Sequence, residues 1–299
     1  MPDVTACADP PPATACRVQT TLSISLRELG IPPRPAIMDA VEREAAKDEA
    51  DFWALQALIS ADVALSAGLI KVANSALFGG RHVAVSVYDA VRKLGLQQVA
   101  RTIAALSLQR VFAHVPQMER FWDSSFRTAC LAAWLAQQLP GAKTVGVPDV
   151  YSYTLFRDAG IPALLVPLGP IYRDVLQQAN RNHELPFTEI EHHALDVNHA
   201  LLGAELARTW GLPPEMLAAI AHHHDAAAIA GQRPGVPLRA RQMIALAQLA
   251  EYLWQCQSGQ AMTCEWIKLG PACLDVLALP ADDLPLWLER SIEITATAH

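Results

Sequence analysis

The sequence predicts an all-α fold, and three observations carry that prediction. Apolar residues recur at helical spacing from residue 36 towards the C-terminus. Strand-like alternation is sustained nowhere. The punctuation is that of helices, with acids or hydroxyls ahead of the apolar-periodic runs and Gly or Pro behind them. The chain is 52% hydrophobic and 18% charged, so most of its 299 residues belong in a packed interior and no significant sheet is expected.

Taken in order, residues 1–20 are expected to be a disordered tail, because Pro10, Pro11 and Pro12 disfavour helix and there is little to bury. A short helix over 21–31 precedes a stiff entry made by Pro32, Pro33 and Pro35. Helices follow over 36–47 and 51–60, the latter with Phe52, Leu55, Leu58 and Ile59 on one face. Asp62 reads as the N-cap of the next, which closes at Asn74-Ser75 with Gly79-Gly80 as the turn. Residues 86–94 and 96–112 give two more, divided by Gly95, and 121–139 a long one closed by Pro140-Gly141. The second half predicts helices over 148–165 and 170–182, with a turn at Pro167–Pro170. Thr188 and Glu191 read as a capping box for 189–210. Helices over 214–224, 237–257, 263–277 and 282–295 complete the chain, with 225–236 as a loop. Trp254, Trp266 and Trp287 fall at helical spacing and are expected in the core.

Charge and cysteine usage exclude several functions. Thirty acidic against 23 basic residues give a net charge of −7, which lacks the basic field that nucleic-acid phosphates require. The six cysteines form no Cys-x-x-Cys pair, so neither a disulfide framework nor a zinc ribbon is expected. Cys130 reads as a buried free thiol with nothing to activate it. The N-terminus carries no apolar signal segment, and no apolar run approaches membrane-spanning length. A cytoplasmic protein with no membrane contact is expected. Phosphate-loop and G-x-S-x-G motifs are absent from the sequence.

Several long blocks occur in a telling order. LISADVALSAGLIKVANSALFG spans Leu58–Gly79 and is followed by SVYDAVRKLGLQQVARTIAALSLQRVF. ERFWDSSFRTACLAAWLA, EIEHHALDVNHALLGAELARTWGLP and AIAHHHD come next. Over roughly residues 22–250 the chain resembles the HDOD domain family, a regulatory branch of the HD-domain superfamily. The resemblance implies a compact multi-helix, HD-like bundle in two halves. The domain is expected over 21–236, with an N-terminal helical half at 21–120 and a degenerate HD-like half at 121–236, and with 237–299 as C-terminal helices packed on the latter.

Active HD hydrolases hold one or two divalent metals with His and Asp on facing helices, and the resemblance assigns the corresponding positions here. Ser124, in FWDSS, stands where the first His is expected, and a hydroxyl is a poor ligand for zinc, iron or manganese. In LFRDAG, Arg157 replaces the His of the His-Asp pair while Asp158 remains. Arg keeps its proton in a protein and repels a cation. Gln248 stands where the last Asp is expected. What remains of the site is Asp158, His199, His223 and His224. Any metal would fall to Asp158, His199 and His223, but the residues favour a polar cluster in which Arg157 pairs with Asp158 or a neighbouring acid. An alternative set, His192, Asp196 and His199, falls at i, i+4 and i+7 on one helix face and with His223 would make a different metal site.

The expected function is therefore a non-catalytic bacterial signal-transduction module without a cofactor. It would act by binding other signalling proteins, cyclic-di-GMP turnover enzymes or response regulators among them, with a small ligand as a further expected partner, and not by binding nucleic acid. The competing expectation is a metal-dependent phosphohydrolase of a nucleotide or cyclic dinucleotide.

Overall fold

The computed structural model describes residues 32–296 except 76, 79–81 and 261. The expected tail, the helix over 21–31 and the Gly79-Gly80 turn lie outside the described residues. No strand occurs among those that are described.

Helices α1 (Ala36–Ala45), α2 (Phe52–Ser60), α3 (Val63–Ala73), α4 (Val87–Leu94) and α5 (Leu96–Val111) pack on one another. Their starts are fixed locally. Asp51 accepts from the amides of Trp53 and Ala54, and Asp62 from those of Ala64 and Leu65, as its sequence position predicts. Ser86 and Asp89 cap α4 reciprocally. Leu55, Ile59, Leu69, Val91 and Ile103 are fully enclosed between these helices.

Helix α6 (Glu119–Gln138) lies against α7 (Val147–Phe156), and α7 in turn packs on α5. Next come α8 (Gly160–Arg181), α9 (Phe187–Leu195), α10 (His199–Thr209), α11 (Pro214–His222) and α12 (Ala226–Ile229). Helices α13 (Leu238–Ser258), α14 (Glu265–Leu277) and α15 (Leu284–Ala296) complete the order. Helix α13, which opens the segment 237–299, sits centrally: it touches α6, α7, α11, α12, α14 and α15. Twelve of its residues are buried, polar Gln242, Gln248 and Gln255 among them.

Five expectations need correction. The helix over 148–165 is broken: α7 stops at Phe156 and α8 starts at Gly160, so Arg157 and Asp158 sit in the turn between them. The break expected at Pro167–Pro170 is present inside α8 as a kink between two helical stretches, with Gly169 non-helical at φ 47° and ψ −118°. The helix over 189–210 is also two helices. Asp196 ends α9 in the left-handed region at φ 57°, and Asn198 caps α10 by accepting from Leu201 N–H. Helix α9 is preceded by Pro186, not capped by Thr188, and Glu191 is buried instead of exposed at a helix start. The loop at 225–236 contains α12, capped by Asp225. Of the three C-terminal tryptophans only Trp287 is buried; Trp254 and Trp266 are half-buried.

One close approach positions the site. Gly160, at the start of α8, is pressed against the backbone of His199 at the start of α10, and a Cβ there would overlap the His199 carbonyl. Gly203, one turn along α10, lies beside the Gly160 amide. Two small residues at this crossing let the helices close, which brings Asp158 and His199 together.

Candidate functional site

The α7–α8 turn, the start of α10 and the end of α11 converge on one point. There one ligand atom from each of His199, His223, His224 and Asp158 lies within 4.8 Å of the others. His199 Nε2 is 3.2 Å from both His223 Nε2 and His224 Nε2. Asp158 Oδ1 is 3.2 Å from His223 Nε2 and 3.6 Å from His199 Nε2.

The far side of each imidazole explains this convergence. His223 Nδ1 donates to the Ile220 carbonyl at 2.7 Å, His199 Nδ1 to Glu191 Oε2 at 2.7 Å, and His224 Nδ1 to Glu265 Oε2 at 2.5 Å. Glu191 is itself held by the Tyr172 hydroxyl and the His199 amide, and Glu265 by Lys268. With each Nδ1 committed as a donor, each neutral ring turns its Nε2 lone pair inward. Three lone pairs and a carboxylate oxygen facing one another demand positive charge in the middle.

A proton on His199 supplies it as the cluster stands. Burial alone would push this imidazole down, but the Glu191 carboxylate, helped by Asp158, outweighs that and raises it to about 10. Burial and the neighbouring His223 push His224 down to about 4, so it stays neutral. Asp158 is held well below the usual carboxylate range: burial opposes its charge, and the Arg157 guanidinium and the two histidines overcome that.

Arg157 forms the second half of the site. It is 5% exposed. Its Nε donates to Asp158 Oδ2 at 3.0 Å and its Nη2 to Glu251 Oε2 at 2.7 Å. Asp158 is thereby divided, one oxygen facing the guanidinium and the other the histidines. Burial raises Glu251, against the pull of Arg157.

The cluster forms one wall of a cavity of about 390 Å³, a size that suits a small ligand. Ser124, Arg157, Asp158, His223, His224 and Gln248 all line it. His199 sits behind them with no exposure. His192 and Asp196 do not take part: both are exposed, because α9 ends before the i, i+7 face can form. Sequence reasoning did not single out Glu251 or Glu265, and it read Glu191 as a helix cap. Glu251 does carry a signal, lying three residues beyond Gln248 on the same face of α13. Nothing local marks Glu265.

The donor set fits a single first-row dication. An ion held at 2.0–2.2 Å by four tetrahedral donors spaces them by roughly 3.3 Å; four of the six donor pairs here stand at 3.2–3.6 Å, and the other two lie within 4.8 Å. Imidazole-rich donors select zinc, iron, nickel or copper over magnesium or calcium. Histidines whose second nitrogen is fixed by a carboxylate or carbonyl are the arrangement that metal-binding imidazoles require.

The family model for the HDOD domain matches residues 31–226. The chain belongs to the HDOD domain family. A protein of Treponema pallidum (strain Nichols) is 29% identical over 220 residues, covering 70% of this chain but 41% of its own length, so the chain spans less than half of that relative. An HDOD domain protein of unknown function from Geobacter sulfurreducens has the same fold, with a TM-score of 0.68, 20% identity and coverage of 94% and 98% of the two chains. A Shewanella amazonensis SB2B protein provisionally named a phosphohydrolase gives 0.63, 16%, 92% and 97%. Family membership covers residues up to 226, yet the partners of Arg157 and His224, Glu251 and Glu265, come from beyond it. No helix among the described residues is long and apolar enough to cross a membrane.

Proposed function

We propose that this HDOD protein is a non-catalytic module of bacterial signal transduction that works in the cytoplasm by binding other signalling proteins. The observation that carries this reading is the buried guanidinium of Arg157 between Asp158 and Glu251. Hydrolysis of a phosphoester needs carboxylates free to hold metal and an activated water. Here one oxygen of Asp158 and one of Glu251 are committed to an arginine that keeps its proton. Ser124 and Gln248, also on the cavity wall, are neutral and bind such ions poorly. Partners expected on this reading are cyclic-di-GMP turnover enzymes or response regulators, and affinity capture from cells that recovers only background proteins would contradict it.

The direct test is turnover. The purified full chain, supplied with Mn²⁺, Fe²⁺ or Zn²⁺, is expected to hydrolyse neither cyclic di-GMP nor bis(p-nitrophenyl) phosphate faster than the metal alone. Turnover that disappears in His199→Ala would overturn the reading. It would favour the second one, a metal-dependent phosphohydrolase, for which the convergence of Asp158 with three histidines is the supporting observation.

A further inference from the structure

Two positions in this site call for positive charge, and they are filled differently. One lies between Asp158 Oδ2 and Glu251 Oε2, where the Arg157 guanidinium bonds both carboxylates. The other lies between Asp158 Oδ1 and the three imidazoles, where the positive charge is a proton on His199, which a bound dication would displace. We infer that His199, His223, His224 and Asp158 hold one zinc-class dication per chain, and that Arg157 serves as the fixed cation of the adjacent position, so that a second ion is not taken up.

Three independent observations support the single ion. Four of the six donor pairs have the spacing of a tetrahedral shell. Each imidazole is oriented from behind by a separate acceptor, Glu191, the Ile220 carbonyl or Glu265, which costs two buried carboxylates to arrange. Four protein ligands also complete the shell without water, as in structural zinc sites. That last feature makes the ion a structural or sensory element and not a source of hydroxide. The inference goes beyond the signalling role and does not depend on it, because stoichiometry and turnover are read separately.

The test is metal binding by the full chain, stripped with chelator and dialysed, followed by calorimetric titration with Zn²⁺ and by Co²⁺ absorption spectroscopy. One equivalent per chain is expected, with the intense visible bands of tetrahedral Co²⁺. His224→Ala should abolish it. Since that variant could fail to fold, Glu265→Gln provides a second arm: its His224 ring loses its carboxylate partner, and affinity should fall about 10- to 100-fold with the circular dichroism unchanged. Replacing the exposed His192 and His193 with Ala should change neither stoichiometry nor spectrum. Arg157→His should admit a second equivalent. Absence of binding at millimolar Zn²⁺, two equivalents in the wild type, octahedral Co²⁺ spectra, or loss of the signal on removing His192 and His193 would each overturn the inference.

Discussion

Phe156 and Arg157 are neighbours in the chain and face opposite surroundings. Phe156 closes α7 against Trp210, with ring centroids 6.0 Å apart, on the wall of an apolar cavity of about 440 Å³ lined also by Met38, Leu96, Ala100 and Met216. Arg157, one residue later, enters the polar cavity with Asp158 and the histidines. The apolar side rests on volume, which neighbours can partly refill. The polar side rests on charges that match one by one: Arg157 with Asp158 and Glu251, His199 with Glu191, Lys268 with Glu265. A substitution of similar size should therefore be tolerated on one side and not on the other.

The sharpest way to break this comparison is Arg157→Met, which keeps much of the volume and removes the charge. It leaves the carboxylates of Asp158 and Glu251 facing each other without a cation, and a loss of about 3–5 kcal/mol is expected in urea unfolding. A variant as stable as the wild type would mean that the guanidinium does not compensate these acids. On the apolar side Phe156→Leu should cost about 1–1.5 kcal/mol. A cost equal to that of Arg157→Met would erase the distinction between the two faces. The smallest effect belongs to a region remote from both. Asp62→Ala removes the side chain that caps α3, for a loss of about 1 kcal/mol in the same assay and no change in metal stoichiometry.

Much of this was readable from the amino acids. The helices up to residue 140 follow from apolar period and from caps such as Asp62, because those signals are local. The site positions of Ser124, Arg157, Asp158, His199, His223, His224 and Gln248 were legible through long blocks in a recognisable order, and six of these residues share one cavity wall. The misreadings have physical causes. Asp196 in the left-handed conformation ends a helix without a glycine or proline to announce it. The break read at Pro167–Pro170, by contrast, is present, carried by the non-helical Gly169. Glu191 fits a capping pattern by spacing alone, whereas its burial follows from packing against Tyr172 and His199. Glu251 is 94 residues from its guanidinium partner and Glu265 is 41 from its imidazole, separations at which only the fold makes a pair.

Arg157 already takes the place between Asp158 and Glu251, and the proposal leaves room for one ion beside it. An anomalous-difference map from crystals grown with excess Zn²⁺, recorded at the zinc absorption edge, tests it most directly. The expected result is a single strong peak per chain in this region, about 2.0–2.2 Å from His199, His223 and His224 Nε2 and Asp158 Oδ1, with the guanidinium still bridging the two carboxylates. A peak between Asp158 Oδ2 and Glu251, with Arg157 turned out into the cavity, would mean that the guanidinium does not stand in for a second ion.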